Sequence, residues 1–228
     1  MTTSSSEESA VIDQPKQLME NIVKGDSENA ARIAGEIGKE EADANEVVDI
    51  ISNAMNIVTD LHEMERYSSE EVEKSEDAAD KALEVVRPKL RIEQRRVSGR
   101  IMVSSLIGDP HNFDKTLLLT MLEIGGLSPI DGGTDLTSDD IARKVSQTQP
   151  DILAVPLVSN ASVEHLLKAR TRIEMEGSKT KVVAYGRGIS NLPETQGFGA
   201  VEEDSLGALR RIMEICSKQQ QVRRTTSR

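Results

Sequence analysis

Hydrophobic positions in the first part of the chain recur with the period of an α-helix. Apolar side chains three or four residues apart mark four faces, at residues 18–22, 33–37, 47–61 and 78–86. Gly25 and Asp26 provide a turn between the first two faces, and Ser68 followed by acidic residues is a helix start signal. The pattern predicts a bundle of four helices over residues 13–92.

The pattern changes beyond residue 98, where short apolar runs alternate with segments of helical spacing. The runs that predict strands cover residues 101–107, 151–158, 181–185 and 199–202. The helical segments cover residues 115–124, 138–146, 163–175 and 206–217. This alternation predicts an α/β domain over residues 98–217, in which a doubly wound parallel sheet carries helices on both faces.

Polar segments border these two regions and separate them. Residues 1–12 are rich in serine and residues 218–228 are polar, so we expect a disordered tail at each end of the chain. Residues 93–97 are expected to form the linker. The charge changes at the same boundary, because residues 1–97 carry 23 acidic and 12 basic side chains, whereas the remainder carries 16 of each.

Composition and charge exclude several classes of protein. The single cysteine, Cys216, excludes a disulfide framework and a cysteine-based zinc site. No apolar run approaches the ~20 residues of a membrane span, and the N-terminus lacks the pattern of a secretory signal, so we expect a cytoplasmic protein without a membrane partner. The acidic half argues against a nucleic-acid partner. That half is either a solvated helical surface or a docking face for a basic partner.

Ligands of open α/β sheets bind beyond the carboxyl ends of the strands, which directs attention to three loops. These loops read GDPHNFDK at residues 108–115, PLVSNAS at 156–162 and YGRGISN at 185–191. In the first loop, Asp109 and His111 have the spacing of a metal-ligating imidazole and the carboxylate that orients it. Taken alone, the same pair also suits ordinary surface or capping groups.

A helical bundle, a short linker and a doubly wound domain that opens with D-x-H resemble the corrinoid proteins of methyltransferase systems. Those proteins hold cobalamin with the motifs D-x-H-x-x-G, S-x-L and G-G. Residues 83–88, 129–135 and 149–152 also resemble segments of that family. The resemblance covers residues 15–215 and implies a five-stranded, cobalamin-binding-like sheet with flavodoxin-like strand order.

The same resemblance implies a role for each retained motif residue. His111 would replace the nucleotide base of cobalamin as the lower ligand of cobalt, and Asp109 would hydrogen-bond the other imidazole nitrogen. Partner methyltransferases would load and unload the methyl group, so the protein would be a carrier component rather than a self-sufficient enzyme. Whether the protein forms a homo-oligomer is left open.

Other positions depart from the motifs. Asp114 stands where the family has the motif glycine, and Pro156 replaces the serine ahead of the retained Leu157. Tyr185 replaces the first residue of the glycine pair, of which Gly186 remains. If these residues close the slot for the nucleotide tail of the cofactor, we expect Tyr185 to be buried and to pack towards Pro156.

The helical half departs from the family as well. Residues 67–75 are charged where the resemblance implies an apolar cap above the corrin ring, and His62 stands at a position that is usually apolar. His62 is either an ordinary boundary residue or, much less favoured, an upper ligand or proton donor.

Three functions therefore remain in consideration. The first is a corrinoid-binding methyl carrier with the cofactor-binding residues named above. The second is a degenerate homologue that does not bind cobalamin in the usual base-off mode and acts as a binding or regulatory module. The third, an enzyme with its own catalytic residues, is weak, because the chain lacks a dinucleotide or phosphate loop and a telling pair of nucleophile and histidine.

Overall fold

The computed structural model describes residues 4–92, 97–193 and 197–226, and it divides the chain into two compact units, Met1–Arg91 and Ile92–Arg228. Most of the predicted linker, residues 93–96, lies outside the described residues. The first unit holds four helices, α1 Ser4–Val23, α2 Ser27–Ile37, α3 Glu41–Glu63 and α4 Ser69–Val86, and ends in a 3-10 turn, Arg87–Lys89. The predicted four-helix bundle is confirmed.

Capping residues define where two of these helices begin. The Asp26 side chain accepts a hydrogen bond from the backbone N–H of Asn29 at 3.1 Å, which satisfies an otherwise unpaired donor at the start of α2. Ser68 and Glu71 form a reciprocal capping box at the start of α4. The apolar face of the bundle forms its core, in which Leu18 and Ile22 are completely buried.

Both chain ends are more helical than their composition predicts. α1 begins at Ser4, whereas residues 1–12 were expected to form a disordered tail, and α8 continues to Thr226, whereas a tail was expected from residue 218. Helical propensity explains the difference. Glutamate, glutamine, alanine and arginine are good helix formers, and acidic residues near an N-terminus complement the helix dipole.

The second unit is the predicted doubly wound domain. Its strands are β1 Ile101–Leu106, β2 Ile130–Leu136, β3 Ile152–Pro156, β4 Lys181–Tyr185 and β5 Ala200–Glu202. Its α-helices are α5 Phe113–Ile124, α6 Ser138–Thr148, α7 Asn160–Met175 and α8 Ser205–Thr226, and a 3-10 helix spans Arg187–Asn191. The five strands are parallel in the order β2-β1-β3-β4-β5, which confirms the predicted flavodoxin-like sheet.

Strand alternation separates the sheet residues into two faces, each covered by two helices. Met102, Leu153 and Ala184 pack with α6 and α7 in one apolar core. The residues between them along the strands face α5 and α8, which pack on the opposite side of the sheet. On this second face, Pro156 and Tyr185 are the strand residues nearest the carboxyl edge of the sheet.

The strand order places a topological switch point at the carboxyl edge of the sheet. From β1 the chain moves outward to β2, and from β3 it moves in the other direction to β4 and β5. The loops that leave the adjacent strands β1 and β3 therefore diverge, and such a switch point is where α/β sheets bind ligands. No helix within the described ranges is long and apolar enough to cross a membrane.

One ion pair ties α5 to the edge strand β2. The Lys115 ammonium lies 2.7 Å from the Asp131 carboxylate, with the Lys115 side chain only 7% exposed and that of Asp131 57% exposed. Burial alone would raise the Asp131 pKa, but hydrogen bonds from Lys115 and the Gly133 N–H outweigh it and hold that pKa below its usual range.

We expect Asp131→Asn to lower the free energy of unfolding by about 1–3 kcal/mol, because the buried Lys115 ammonium would lose its counter-ion. Urea denaturation followed by circular dichroism measures the change. Glu164→Gln is the control, since the Glu164–Lys168 pair on α7 is exposed on both sides and its loss should cost less than ~0.5 kcal/mol. Equal effects of the two substitutions would contradict this account of the ion pair.

Candidate functional site

The two loops at the switch point are joined by a single carboxylate. Oδ1 of Asp109, in the loop after β1, accepts hydrogen bonds from the backbone N–H groups of Val158 at 3.0 Å and Ser159 at 2.9 Å. Ser159 precedes α7 as its N-cap, and its hydroxyl donates to the Gly108 carbonyl at 2.8 Å. Contacts therefore run in both directions between the β1–α5 loop and the β3–α7 loop.

Asp109 thus has a positioning role that the spacing of the motif did not reveal. The motif predicts a hydrogen bond from the His111 imidazole to this carboxylate, which stays a prediction, and the structure adds that Oδ1 accepts from the backbone of the neighbouring loop. Burial raises the pKa of Asp109 to about 6, and hydrogen bonds from the β3–α7 segment partly offset that rise. Ser159 was missed, although a serine directly before a helical segment is an N-cap signal.

His111 follows Asp109 in the same loop and is almost completely buried, with 3% of its surface exposed. The next residue, Asn112, is the N-cap of α5, and its side chain is hydrogen-bonded to the Ser105 hydroxyl on β1. The imidazole is therefore held in a short segment that is anchored on both sides. A neutral imidazole is a common ligand for transition metals.

The described residues contain no cluster of three or more His, Cys, Asp or Glu side chains that could hold a metal ion by themselves. A single imidazole such as that of His111 suits a metal whose other ligands come from another group. A metal held in a macrocycle is such a case, because the macrocycle provides the remaining ligands.

Asp114 lies in the first turn of α5, where the D-x-H-x-x-G motif has glycine. Burial raises the pKa of its carboxyl to about 6, and the nearby charges of Asp109 and Asp204 act in the same direction. Arg187 opposes them. The Asp114 carboxyl at this edge thus lies among acidic groups that raise its pKa and near Arg187, which lowers it.

Tyr185 is completely buried at the end of β4, as expected for a closed slot. It pairs in register with Pro156 on β3, so both side chains point to the face covered by α5 and α8. The phenol hydroxyl donates to the main-chain carbonyl of Asp114 at 3.0 Å. The ring therefore reaches from the end of β4 to the first turn of α5, and the expectation that Tyr185 packs towards Pro156 is confirmed.

Gly186 continues the closure beyond the strand. Its φ of +100° is unfavourable for other residues, and a Cβ there would lie 2.9 Å from the Leu157 carbonyl oxygen. Leu157 is itself buried, and its N–H donates to the Tyr185 carbonyl at 2.7 Å. The backbones of the two loops are therefore in direct contact at this point.

The residues singled out in the helical unit have local structural partners. The Tyr67 hydroxyl donates to the Val23 carbonyl at the end of α1, at 2.9 Å, and Ser75 donates to the same oxygen at 3.0 Å. His62 Nδ1 lies 3.0 Å from the Tyr67 carbonyl oxygen. These contacts support the interpretation of His62 as a boundary residue of the bundle.

Comparisons with known proteins give one matching family model and several similar proteins. Residues 15–87, most of the helical unit, match the family model described as a B12 binding domain. Trimethylamine corrinoid protein 2 of Methanosarcina acetivorans is 23% identical over 192 residues, which cover 83% of this chain and 85% of that protein. The chain is a homologue of the corrinoid proteins. This confirms the resemblance drawn from the sequence motifs.

Two further matches concern sequence and fold. Dimethylamine corrinoid protein 3 of the same organism is 23% identical over 158 residues, covering 69% of this chain and 71% of that protein. The solved structure of the monomethylamine corrinoid protein of Methanosarcina barkeri has the same fold, with a TM-score of 0.71 and 21% identity over 87% of this chain and 96% of that one.

The close approach of Gly186 to Leu157 is testable by substitution. We expect Gly186→Ala to destabilise this corrinoid protein homologue by at least ~1 kcal/mol more than Gly126→Ala. Both glycines have positive φ, but a Cβ at Gly126 would meet nothing within 4 Å. Urea denaturation of both variants isolates the steric effect. Equal losses in the free energy of unfolding would show that the loop accommodates the added Cβ at no cost in stability.

The raised pKa of Asp114 makes stability depend on pH. A carboxyl whose pKa is higher in the folded state stabilises the fold below its unfolded pKa and loses that contribution as the pH rises through about 6. Asp114→Asn stays neutral, so we expect its stability relative to the wild type to increase by about 1–2 kcal/mol between pH ~4 and ~7. Urea denaturation across this range measures the difference, and a constant difference would contradict the assignment.

Proposed function

We propose that this protein is a corrinoid-binding carrier of a methyltransferase system and that His111 is the lower ligand of cobalt. The observation that supports the proposal is the anchored histidine loop at the switch point. Asp109 holds this loop to the β3–α7 loop through hydrogen bonds of 3.0 and 2.9 Å, at the edge of the sheet where ligands bind. The names of the homologous corrinoid proteins support the same class of cofactor.

The residues at the carboxyl edge of the sheet fit the corrin ring but not the nucleotide tail of a complete corrinoid. His111 offers the single nitrogen ligand that a macrocycle-bound cobalt needs from the protein. On the α5/α8 side, however, the Tyr185 ring fills the space between the strand end and α5, at a position where the motif has glycine. The histidine loop therefore suits the corrin ring, whereas the closed face does not suit a nucleotide tail.

When bound, a corrinoid supplies a cobalt centre that accepts a methyl group and gives it up. The chain supplies ligation and position. Because the Asp109 carboxylate links the loops after β1 and β3, it fixes the place of His111 relative to the sheet. The burial of His111 keeps water away from the imidazole. Partner methyltransferases would load and unload the methyl group, and the acidic helical half offers a docking face for a basic partner.

The second candidate is a homologue that has lost cofactor binding and acts as a binding or regulatory module. The burial of Tyr185 and its hydrogen bond to Asp114 favour it, because they close the face that the motif glycines would leave open. One observation distinguishes the two functions. A carrier retains a stoichiometric amount of corrinoid after incubation and desalting, and a degenerate module retains none.

We expect His111→Ala to change the visible absorption of bound cob(III)inamide, because the cobalt would lose its protein nitrogen ligand. The protein is incubated with aquocobinamide, desalted, and measured beside the wild type, while circular dichroism verifies the fold. His165→Ala on α7 is the matched control and should leave the spectrum unchanged, since Ser138 on α6 contacts that imidazole. Identical spectra for the wild type and His111→Ala would refute the ligand assignment.

A further inference from the structure

Tyr185 is the largest completely buried side chain among the described residues. Three features define its place. It ends β4, it stands in register with Pro156 of β3, and its hydroxyl is fixed to the Asp114 carbonyl at 3.0 Å. A side chain that is both fully packed and hydrogen-bonded at its tip costs free energy to displace. The ring therefore behaves as a permanent part of this face.

The backbone beside the ring is closely packed. A Cβ added at Gly186 or at Gly188 would approach the Leu157 carbonyl oxygen to 2.9 or 2.8 Å, and the Gly188 N–H donates to that same oxygen at 2.8 Å. The loop after β4 is thus in contact with the loop after β3. These contacts bring the two backbones together beside Tyr185.

This closure has a consequence for the kind of corrinoid that the site accepts. If His111 occupies the lower face of cobalt, the nucleotide base of a complete cobamide is displaced and its tail must be accommodated by the protein. On the α5/α8 face that volume is taken by the phenol ring, and Pro156 has no donor to offer a displaced base. A corrinoid without a nucleotide tail makes no such demand.

We propose that the site selects corrinoids that lack the nucleotide tail, such as cobinamide, over cobalamin, and that Tyr185 is the residue that determines this specificity. The inference rests on the proposed function, since it specifies the ligand of the same site. The volume of the ring is what discriminates between cobinamide and cobalamin. The hydroxyl contributes by fixing the ring against α5, but a phenylalanine in the same place would still fill the space.

Equilibrium titration followed by visible absorption tests the proposal, with aquocobinamide and hydroxocobalamin as the two probes. We expect the wild type to bind cobinamide at least about tenfold more tightly than cobalamin. Tyr185→Phe should keep that ratio, because the ring remains. Tyr185→Ala should bring the ratio close to one by tightening cobalamin binding and leaving cobinamide binding little changed. Tyr185→Val opens a smaller space and serves if the alanine variant fails to fold.

The outcomes distinguish a failure of the selectivity from a failure of the proposed function. Equal wild-type affinity for the two probes would overturn the selectivity while leaving the corrinoid carrier intact. An unchanged ratio in a folded Tyr185→Ala or Tyr185→Val variant would equally overturn the role of the ring. Failure of both probes to bind would overturn the proposed function itself. Loss of selectivity in Tyr185→Phe would move the discrimination from the ring to the hydroxyl and contradict the proposal as stated.

Discussion

The Asp109 carboxylate is the interaction on which the arrangement of the site depends. A parallel sheet brings the ends of β1 and β3 together, but it does not fix the loops that leave them in different directions. Two backbone donors of the β3–α7 loop converge on one oxygen of Asp109, and the Ser159 hydroxyl returns to the Gly108 carbonyl. Charge-assisted hydrogen bonds of this kind are stronger than neutral ones. They hold the segment that carries His111 against the neighbouring loop.

The other side of the site follows from strand alternation. Because side chains alternate along a strand, Pro156 and Tyr185 necessarily share the face that α5 and α8 cover. A tyrosine at that place can be buried only if its hydroxyl finds an acceptor, and the Asp114 carbonyl provides one. The carboxyl edge therefore carries a buried histidine in the β1–α5 loop and a face that the Tyr185 ring closes at the end of β4.

Much of this architecture was predictable from the sequence, because it depends on periodicity. The change from helical spacing to alternating strands and helices predicted both units, and the departure from the family motif predicted the burial of Tyr185. The partner of Asp109 was not predictable, since that contact spans about fifty residues and depends on two loops that only the sheet brings together. The Lys115–Asp131 pair was missed for the same reason. The helical ends were missed because polar composition was given more weight than helix propensity.

The central claim is that one protein nitrogen, that of His111, completes the coordination of a corrinoid cobalt. Electron paramagnetic resonance of cob(II)inamide bound to the protein tests it most directly, because cobinamide has no base of its own. With ordinary histidine, the account predicts a superhyperfine triplet from one axial nitrogen. Histidine labelled with the heavy nitrogen isotope should convert the triplet into a doublet, and His111→Ala should abolish the splitting. A spectrum without nitrogen splitting, or one that survives in His111→Ala, would contradict the claim.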